Sequence, residues 1–161
     1  MLNQFIIAII AILIIIYIIC YFIPPKTISI NQTKIQHFKF NLLHERQPII
    51  IYEQIPDLED IKNKWFQYNI AKRTTCENMK WKRNSHKYLV LSPTNDTEIH
   101  ICNPYTTIID GIPCSDTKIV SINLKQNQII IIPYRWYVYT DCNSQLVHVH
   151  DIITYLLSMV V

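Results

Sequence analysis

Glycine is almost absent from this sequence, which has a single glycine, Gly111, among its 161 residues. Phosphate-binding loops, dinucleotide-binding turns and the nucleophile elbow of hydrolases all depend on several glycines at fixed spacing. The sequence therefore excludes these three kinds of site.

Long basic runs are also missing, because the densest cationic cluster is residues 80–83 and the net charge is only +3. We therefore predict no nucleic-acid partner.

Paired cysteine motifs are missing as well, since none of the five cysteines lies in a CxxC arrangement. A zinc ribbon or a thioredoxin-like redox motif is therefore unsupported. Cys20 lies in the apolar N-terminal run, and the other four are widely spaced: Cys76, Cys102, Cys114 and Cys142. These four could form two disulfides in an oxidising compartment, or they could be reduced and buried as small apolar side chains. The second alternative is favoured.

What the sequence does have is one uninterrupted apolar run, Phe5–Ile23, without a charged side chain. A bilayer core needs about 20 apolar residues in a helix, so this run predicts a transmembrane helix over 5–23 after a short tail, 1–4. A cleaved signal peptide is disfavoured because the tail has no Lys or Arg and the exit, residues 20–25, has no small residues. A buried core helix is disfavoured because the run is apolar on every face.

The membrane orientation follows from the lysines around this run. Lys26, Lys34 and Lys39 come after it, whereas no basic residue precedes it. The positive-inside rule then predicts a single-pass membrane protein whose C-terminal domain is cytosolic. Residues 24–44 form a membrane-proximal segment, in which the alternation over 27–41 predicts one or two edge strands. Residues 45–161 are predicted to form one domain.

This domain is predicted to be mainly β. One helix begins at Asp57 as its N-cap and continues through an apolar stripe that reaches Ile70, and a polar connection over 72–78 follows. Short strands then alternate with tight turns, including an Asp110-Gly111 hairpin. The fully apolar Ile129–Ile132 is predicted to be a central strand, and a last helix over 152–160 begins after Asp151. The pattern is typical of an antiparallel sandwich or barrel with an inserted helix and a C-terminal helix.

Residues 124–138 carry a resemblance: a turn, four isoleucines, Pro133, two residues and Trp136. This pattern resembles the cupin-like double-stranded β-helix or jelly-roll domains, especially their JmjC-type oxygenase branch. The resemblance implies that Pro133 ends a strand at the barrel mouth and that Trp136 packs beneath it. It also implies a metal-binding histidine two residues after the Trp, but this chain has Val138 there and lacks the family's upstream His-x-Asp/Glu pair. The family's metal and chemistry are therefore expected to be lost.

The order of the motifs along the chain resembles small membrane-anchored cupin-like proteins of large nucleocytoplasmic DNA viruses. The matching segments are the apolar N-terminal run, Pro48–Tyr52, Lys64–Phe66, Lys87–Leu89, Asn103-Pro104 and the strand that ends at Pro133. The resemblance implies a viral protein located in a virion envelope or in an internal membrane of the host.

Two further groups of residues are candidate sites. His148 and His150 are two residues apart on a predicted strand, so both imidazoles could face one metal ion, but no third ligand has suitable spacing. They are candidate metal ligands only, and we predict no metal and no cofactor. Tyr134, Tyr137 and Tyr139 are candidates for contact with a protein partner, because tyrosine is enriched at interfaces. Tyr137 and Tyr139 are predicted to share one strand face.

The sequence thus predicts a membrane-anchored, non-catalytic cupin-like domain with a structural or interaction role. Its partners are the membrane and a protein that the sequence does not identify. Two alternatives remain open. One is a metal-dependent cupin enzyme, for example of the Fe(II)/2-oxoglutarate type, and the other is a β module that binds a small ligand or a glycan.

Overall fold

The computed structural model describes residues 2–25, 27–53, 55, 57–76, 80–140 and 144–158, and side-chain burial for all of these except 2, 20–22, 157 and 158. Over this part the helices are α1 (Leu2–Phe22), α2 (Asn41–His44), α3 (Leu58–Trp65) and α4 (Ile152–Ser158), with a 3-10 turn at Ile35–His37. The strands are β1 (Asn31–Thr33), β2 (Ile49–Ile51), β3 (Ile70–Thr75), β4 (Lys82–Arg83), β5 (Tyr88–Pro93), β6 (Thr97–Cys102), β7 (Ile108–Ile109), β8 (Ile112–Pro113), β9 (Ile119–Leu124), β10 (Ile129–Pro133), β11 (Tyr137–Tyr139) and β12 (Ser144–His150).

These strands form two large sheets and one small hairpin, so the predicted mainly β fold is confirmed. One sheet has the strand order β1-β2-β10-β5-β12-β3, the other has the order β4-β11-β6-β9, and β7 pairs with β8. Every pairing is antiparallel except β1 with β2. The apolar strand β10 is central as predicted, because it pairs with β2 on one side and with β5 on the other.

The strands β2, β10 and β5 of the six-stranded sheet are buried on both faces. One face packs against the four-stranded sheet, and this core includes Leu91, Ile130 and Leu146 together with Ile101 and Val138 of the opposite sheet. The other face is covered by α3 and the segment before β2. Neighbouring side chains on a strand point to opposite faces, so the isoleucines of β10 contribute alternately to the two cores. This explains why β10 has no polar alternation.

The predicted helix start is confirmed, but its end and the following connection are wrong. Asp57 caps α3 by accepting a hydrogen bond from the Glu59 backbone N–H at 2.9 Å. The helix ends at Trp65, and Ile70 begins β3, which occupies most of the segment predicted as a polar connection. β3 is an edge strand with mostly exposed side chains, so it needs little apolar sequence.

The membrane-proximal segment contains one edge strand, β1, within the one or two predicted. Further along the same stretch, Ile35–His37 forms a 3-10 turn that brings Phe38 against Trp65, with ring centroids 4.0 Å apart. The Asp110-Gly111 hairpin is confirmed. Both residues have positive φ angles, 51° and 79°, as a type I′ turn requires.

The N-terminal helix α1 begins before the predicted Phe5 and ends at Phe22. Its side chains are described over residues 3–19, where Phe5, Ile12 and Leu13 are all more than half exposed. In the part of the chain that the structure describes, no helix is long and apolar enough to cross a membrane. The C-terminal half of α1 contacts the domain, since the Tyr17 hydroxyl donates a hydrogen bond to the Asp151 carboxylate.

Candidate functional site

The turn over Pro133–Trp136 helps to position the candidate site, which consists of three histidines and a cavity beside them. Trp136 is buried, and its indole N–H donates to the Arg46 carbonyl at 3.1 Å. Asn84, also buried, donates its side-chain N–H groups to the carbonyls of Ile132 and Pro133, both at 2.9 Å. The Asn84 side-chain oxygen accepts the backbone N–H of His86 at 3.0 Å. Asn84 therefore joins the turn after β10 to the segment that carries His86.

His86 meets two histidines of β12 in a three-histidine cluster, which we define as His86, His148 and His150. The His86 Nδ1 and His150 Nε2 atoms are 2.7 Å apart. The ring centroids of His86 and His148 are 4.1 Å apart. His148 Nε2 also forms a hydrogen bond with the Thr74 hydroxyl at 2.8 Å. The predicted shared face of His148 and His150 is therefore what brings both rings to His86.

All three imidazoles are held in the neutral form at pH 7. Burial, followed by the proximity of His148 and His150, lowers the pKa of His86 from 6.5 to about 3. Burial, followed by His150 and two lysines, lowers the pKa of His148 to about 4. Burial also lowers the pKa of His150. Neutral rings can donate or accept hydrogen bonds, but they add no positive charge here.

No group of three or more His, Cys, Asp or Glu side chains that could hold a metal ion is present among the described residues. The metal interpretation of His148 and His150 therefore gains no third ligand. Two ring nitrogens, Nδ1 of His148 and Nδ1 of His150, are buried and have no hydrogen-bond partner among the residues that the structure describes. Such groups usually cost about 1–3 kcal/mol each.

A cavity of about 450 Å³ lies beside this cluster, at the edge of the sandwich where β3 and β4 are found. We call it the β3–β4 cavity. Its floor is apolar and lies between the sheets, where Leu89, Leu91, Val138 and Leu146 contribute side chains. Val138, two residues after Trp136, thus lines the cavity. The remaining lining residues are polar or cationic: Thr74, Thr75, Cys76, Lys80, Lys82, Arg83, Asn84, Ser85, His86, Thr140 and His148.

The three candidate interaction tyrosines occupy two places. Tyr137 and Tyr139 lie on the face of the four-stranded sheet opposite the core, and both are half-buried. Arg83 lies over the Tyr137 ring at 5.4 Å, and Trp81 packs near Tyr139 with ring centroids 5.7 Å apart. Tyr134 instead lines a separate cavity of about 300 Å³ beside α1.

Two cysteines of the described part, Cys102 and Cys114, are free thiols, and burial raises the pKa of Cys102 to about 11. Cys76 is buried. Cys142, the fourth cysteine of the possible disulfide pairs, lies outside the described residues. The favoured alternative of reduced cysteines agrees with Cys102 and Cys114.

Sequence reasoning missed His86 and the cationic rim of the cavity. His86 is 64 positions from His150, so no local spacing connects them. Lys82 lies in the basic cluster over residues 80–83 and pairs with Val138, where β4 meets β11. The sequence of that cluster does not indicate this pairing. The available signal was the HxH on β12, which correctly indicated two rings on one face.

Comparison with known proteins adds little to this geometry. No protein-family model matches the chain, and no curated protein matches it. One solved structure with local similarity is the CO-dependent transcription factor CooA from Carboxydothermus hydrogenoformans in its imidazole-bound form. The identity is 12%, the TM-score is 0.27, and the match covers 66% of this chain and 47% of CooA.

Proposed function

We propose that this protein is a non-catalytic, cupin-like β domain that is attached to a membrane through α1 and holds a partner there. The observation that carries the proposal is the set of exposed apolar side chains on α1. Monomeric soluble proteins rarely expose apolar patches of more than a few hundred Å². Large apolar residues between 42 and 66% exposed follow one another along this helix: Phe5, Ile6, Ile7, Ile9, Ile10, Ile12, Leu13, Ile14, Ile15, Ile16 and Ile19.

The non-catalytic part of the proposal rests on the residues of the cavity. Val138 occupies the position where the cupin-like motif would have a metal-binding histidine, and an aliphatic side chain cannot bind iron. Asn84 and Trp136 use their polar atoms for backbone carbonyls, so both have structural roles. The resemblance to viral proteins suggests a virion envelope or an internal membrane of the host as the membrane concerned.

Membrane attachment is tested by expressing the full chain in cells and extracting the membranes with alkaline carbonate. We expect the native chain to stay in the membrane pellet. A double variant, Ile12→Lys and Ile16→Lys, is expected to move to the supernatant, since a Lys at the centre of a membrane helix costs about 2.5–3.5 kcal/mol. A native chain that is extracted by carbonate contradicts the proposal.

A matched control is available in the β7–β8 hairpin. Ile109 and Ile112 are 60% and 69% exposed, as accessible as the isoleucines of α1. The variant with Ile109→Lys and Ile112→Lys is expected to remain in the membrane pellet. If this control is released to the same extent as the α1 variant, general loss of surface hydrophobicity explains the result, and attachment through α1 is refuted.

The partner-holding role is supported by the aromatic composition around Tyr139. Tyr, Trp and Arg are the residue types that most often dominate binding energy at protein interfaces. Site-specific photocrosslinking from position 139 in isolated membranes tests this role, with position 109 as the control. A discrete crosslinked product from 139 alone is expected. Equal products from both positions, or none from either, argue against a partner at this face.

A further inference from the structure

The β3–β4 cavity has a charge pattern that membrane attachment does not explain. Three lining residues are cationic, Lys80, Lys82 and Arg83, and no Asp or Glu is present among the described lining residues. The Arg83 guanidinium lies over Tyr137 on the other face of its sheet, so the charge that faces the cavity comes from the lysines. The two lining histidines are neutral, so they do not change this balance. A cleft lined by charge of one sign concentrates ligands of the opposite sign.

Strand register places two lysines on the cavity side of the sandwich. Lys82 pairs with Val138, and Val138 lies on the floor of the cavity. Lys72 pairs with His148 on the other sheet edge, so its side chain leaves β3 on the same face as His148. Paired residues of neighbouring strands share a face, so Lys72 and Lys82 leave their strands on the same sides as His148 and Val138, which line the cavity.

The apolar floor of the cavity favours a ligand that carries an apolar group as well as a negative charge. Leu91 is fully buried, Leu89 and Leu146 are almost fully buried, and together with Val138 they form an apolar surface below the polar rim. A volume of about 450 Å³ lies within the range of small-molecule sites, about 300–1,000 Å³. An inorganic anion would satisfy the lysines and leave this surface uncovered, whereas a neutral apolar molecule would leave the lysines unused.

We propose that the β3–β4 cavity binds a small organic anion, a carboxylate or a phosphate ester carried by an apolar group. The charged group lies between Lys72 and Lys82, and the apolar group packs on Leu91 and Leu146. This site is independent of membrane attachment, because every residue in it belongs to the β domain.

The test uses the full chain in lipid nanodiscs, with empty nanodiscs as the blank. The probes are 2-naphthoate and 2-naphthyl phosphate, and 2-naphthol is the uncharged probe of the same shape. We expect saturable one-to-one binding of at least one anion, detected by naphthyl fluorescence, and binding of 2-naphthol at least about tenfold weaker, as loss of charge-assisted hydrogen bonds would cause. The relative affinity of the two anions tells whether a carboxylate or a phosphate ester is preferred.

Two variants locate the site. The double variant Lys72→Gln and Lys82→Gln is expected to weaken anion binding about tenfold or more, whereas Lys118→Gln, at an exposed lysine outside the cavity, is expected to leave it unchanged. Thr74→Trp places a large side chain on the cavity face of β3 and is expected to abolish binding of all three probes. Equal affinity for 2-naphthol and the anions, equal loss with Lys118→Gln, or no saturable binding overturns the proposal.

Discussion

The three-histidine cluster predicts that the domain loses stability in mild acid. The pKa values of His86 and His148 in the folded chain, about 3 and about 4, lie below the ordinary value of 6.5 that applies after unfolding. Below pH 6.5 the unfolded chain therefore binds protons that the folded chain does not. The stability contributed by the neutral rings is complete above pH 6.5 and decreases as the pH falls towards 4 and 3.

The size of the stability loss follows from how far the pH lies below the pKa of these histidines in the unfolded chain. At pH 5 each of these two histidines lies 1.5 pH units below its unfolded pKa, and each unit corresponds to about 1.4 kcal/mol, or about 2 kcal/mol per residue. The two together give an upper limit of about 4 kcal/mol. Both rings retain some exposure to solvent, which reduces the effect, so we expect a loss of about 2–4 kcal/mol between pH 7 and pH 5. Asp151 does not contribute in this window, because Lys87 and other partners outweigh its burial and lower its pKa to about 2.

The assay is urea unfolding of the full chain in mild detergent at pH 7 and pH 5, followed by tryptophan fluorescence. The double variant His86→Gln and His148→Gln is expected to show less than half of the native pH dependence, whatever its stability at pH 7. The control is His37→Gln, at an exposed histidine outside the cluster, and should keep the native dependence. A native free energy of unfolding that is equal at both pH values refutes the reasoning. So does a control that flattens the pH dependence as much as the double variant.

Three further predictions concern packing and orientation. Asn84→Ala removes the hydrogen bonds to two carbonyls and to the His86 N–H. It should lower the free energy of unfolding by about 2–3 kcal/mol in the same urea assay, and an unchanged value would contradict the structural role of Asn84. Ile130→Ala, in the centre of the six-stranded sheet, should cost about 2–5 kcal/mol, whereas Ile109→Ala, at an exposed site, should cost under 1 kcal/mol; similar losses at both sites would refute the assigned core. A glycosylation acceptor fused to the C-terminus should stay unmodified if the β domain is cytosolic as the lysines predict, and its modification would reverse the orientation.

The elements that could be predicted from the sequence are those whose signal is local. Asp57 could be recognised as an N-cap because its function needs only the next turn of helix. Asp110-Gly111 could be recognised because both residues must have positive φ. The central position of β10 followed from four consecutive apolar residues, since a strand with one solvated face would alternate.

The elements that could not be predicted depend on distant partners. β3 has mainly polar side chains and becomes a strand because it pairs with β12 along its whole length, from Ile70 opposite His150 to Thr75 opposite Gln145. The cavity site is similar, because its walls come from strands far apart in the sequence. The sequence indicated that His148 and His150 share a face but carried no signal that His86 would join them.

The exposed edge of β3 has a consequence for a protein held in a two-dimensional layer. Attachment to a membrane would bring many copies into one plane, where free sheet edges of neighbouring copies could meet and pair. Lys72 and Arg73 occupy adjacent positions of this edge strand, are both exposed, and project to opposite faces of the sheet. Two such edges brought together would place like charges side by side on both faces. Crowding on the membrane would therefore leave the copies as separate domains, with their edges kept apart by charge.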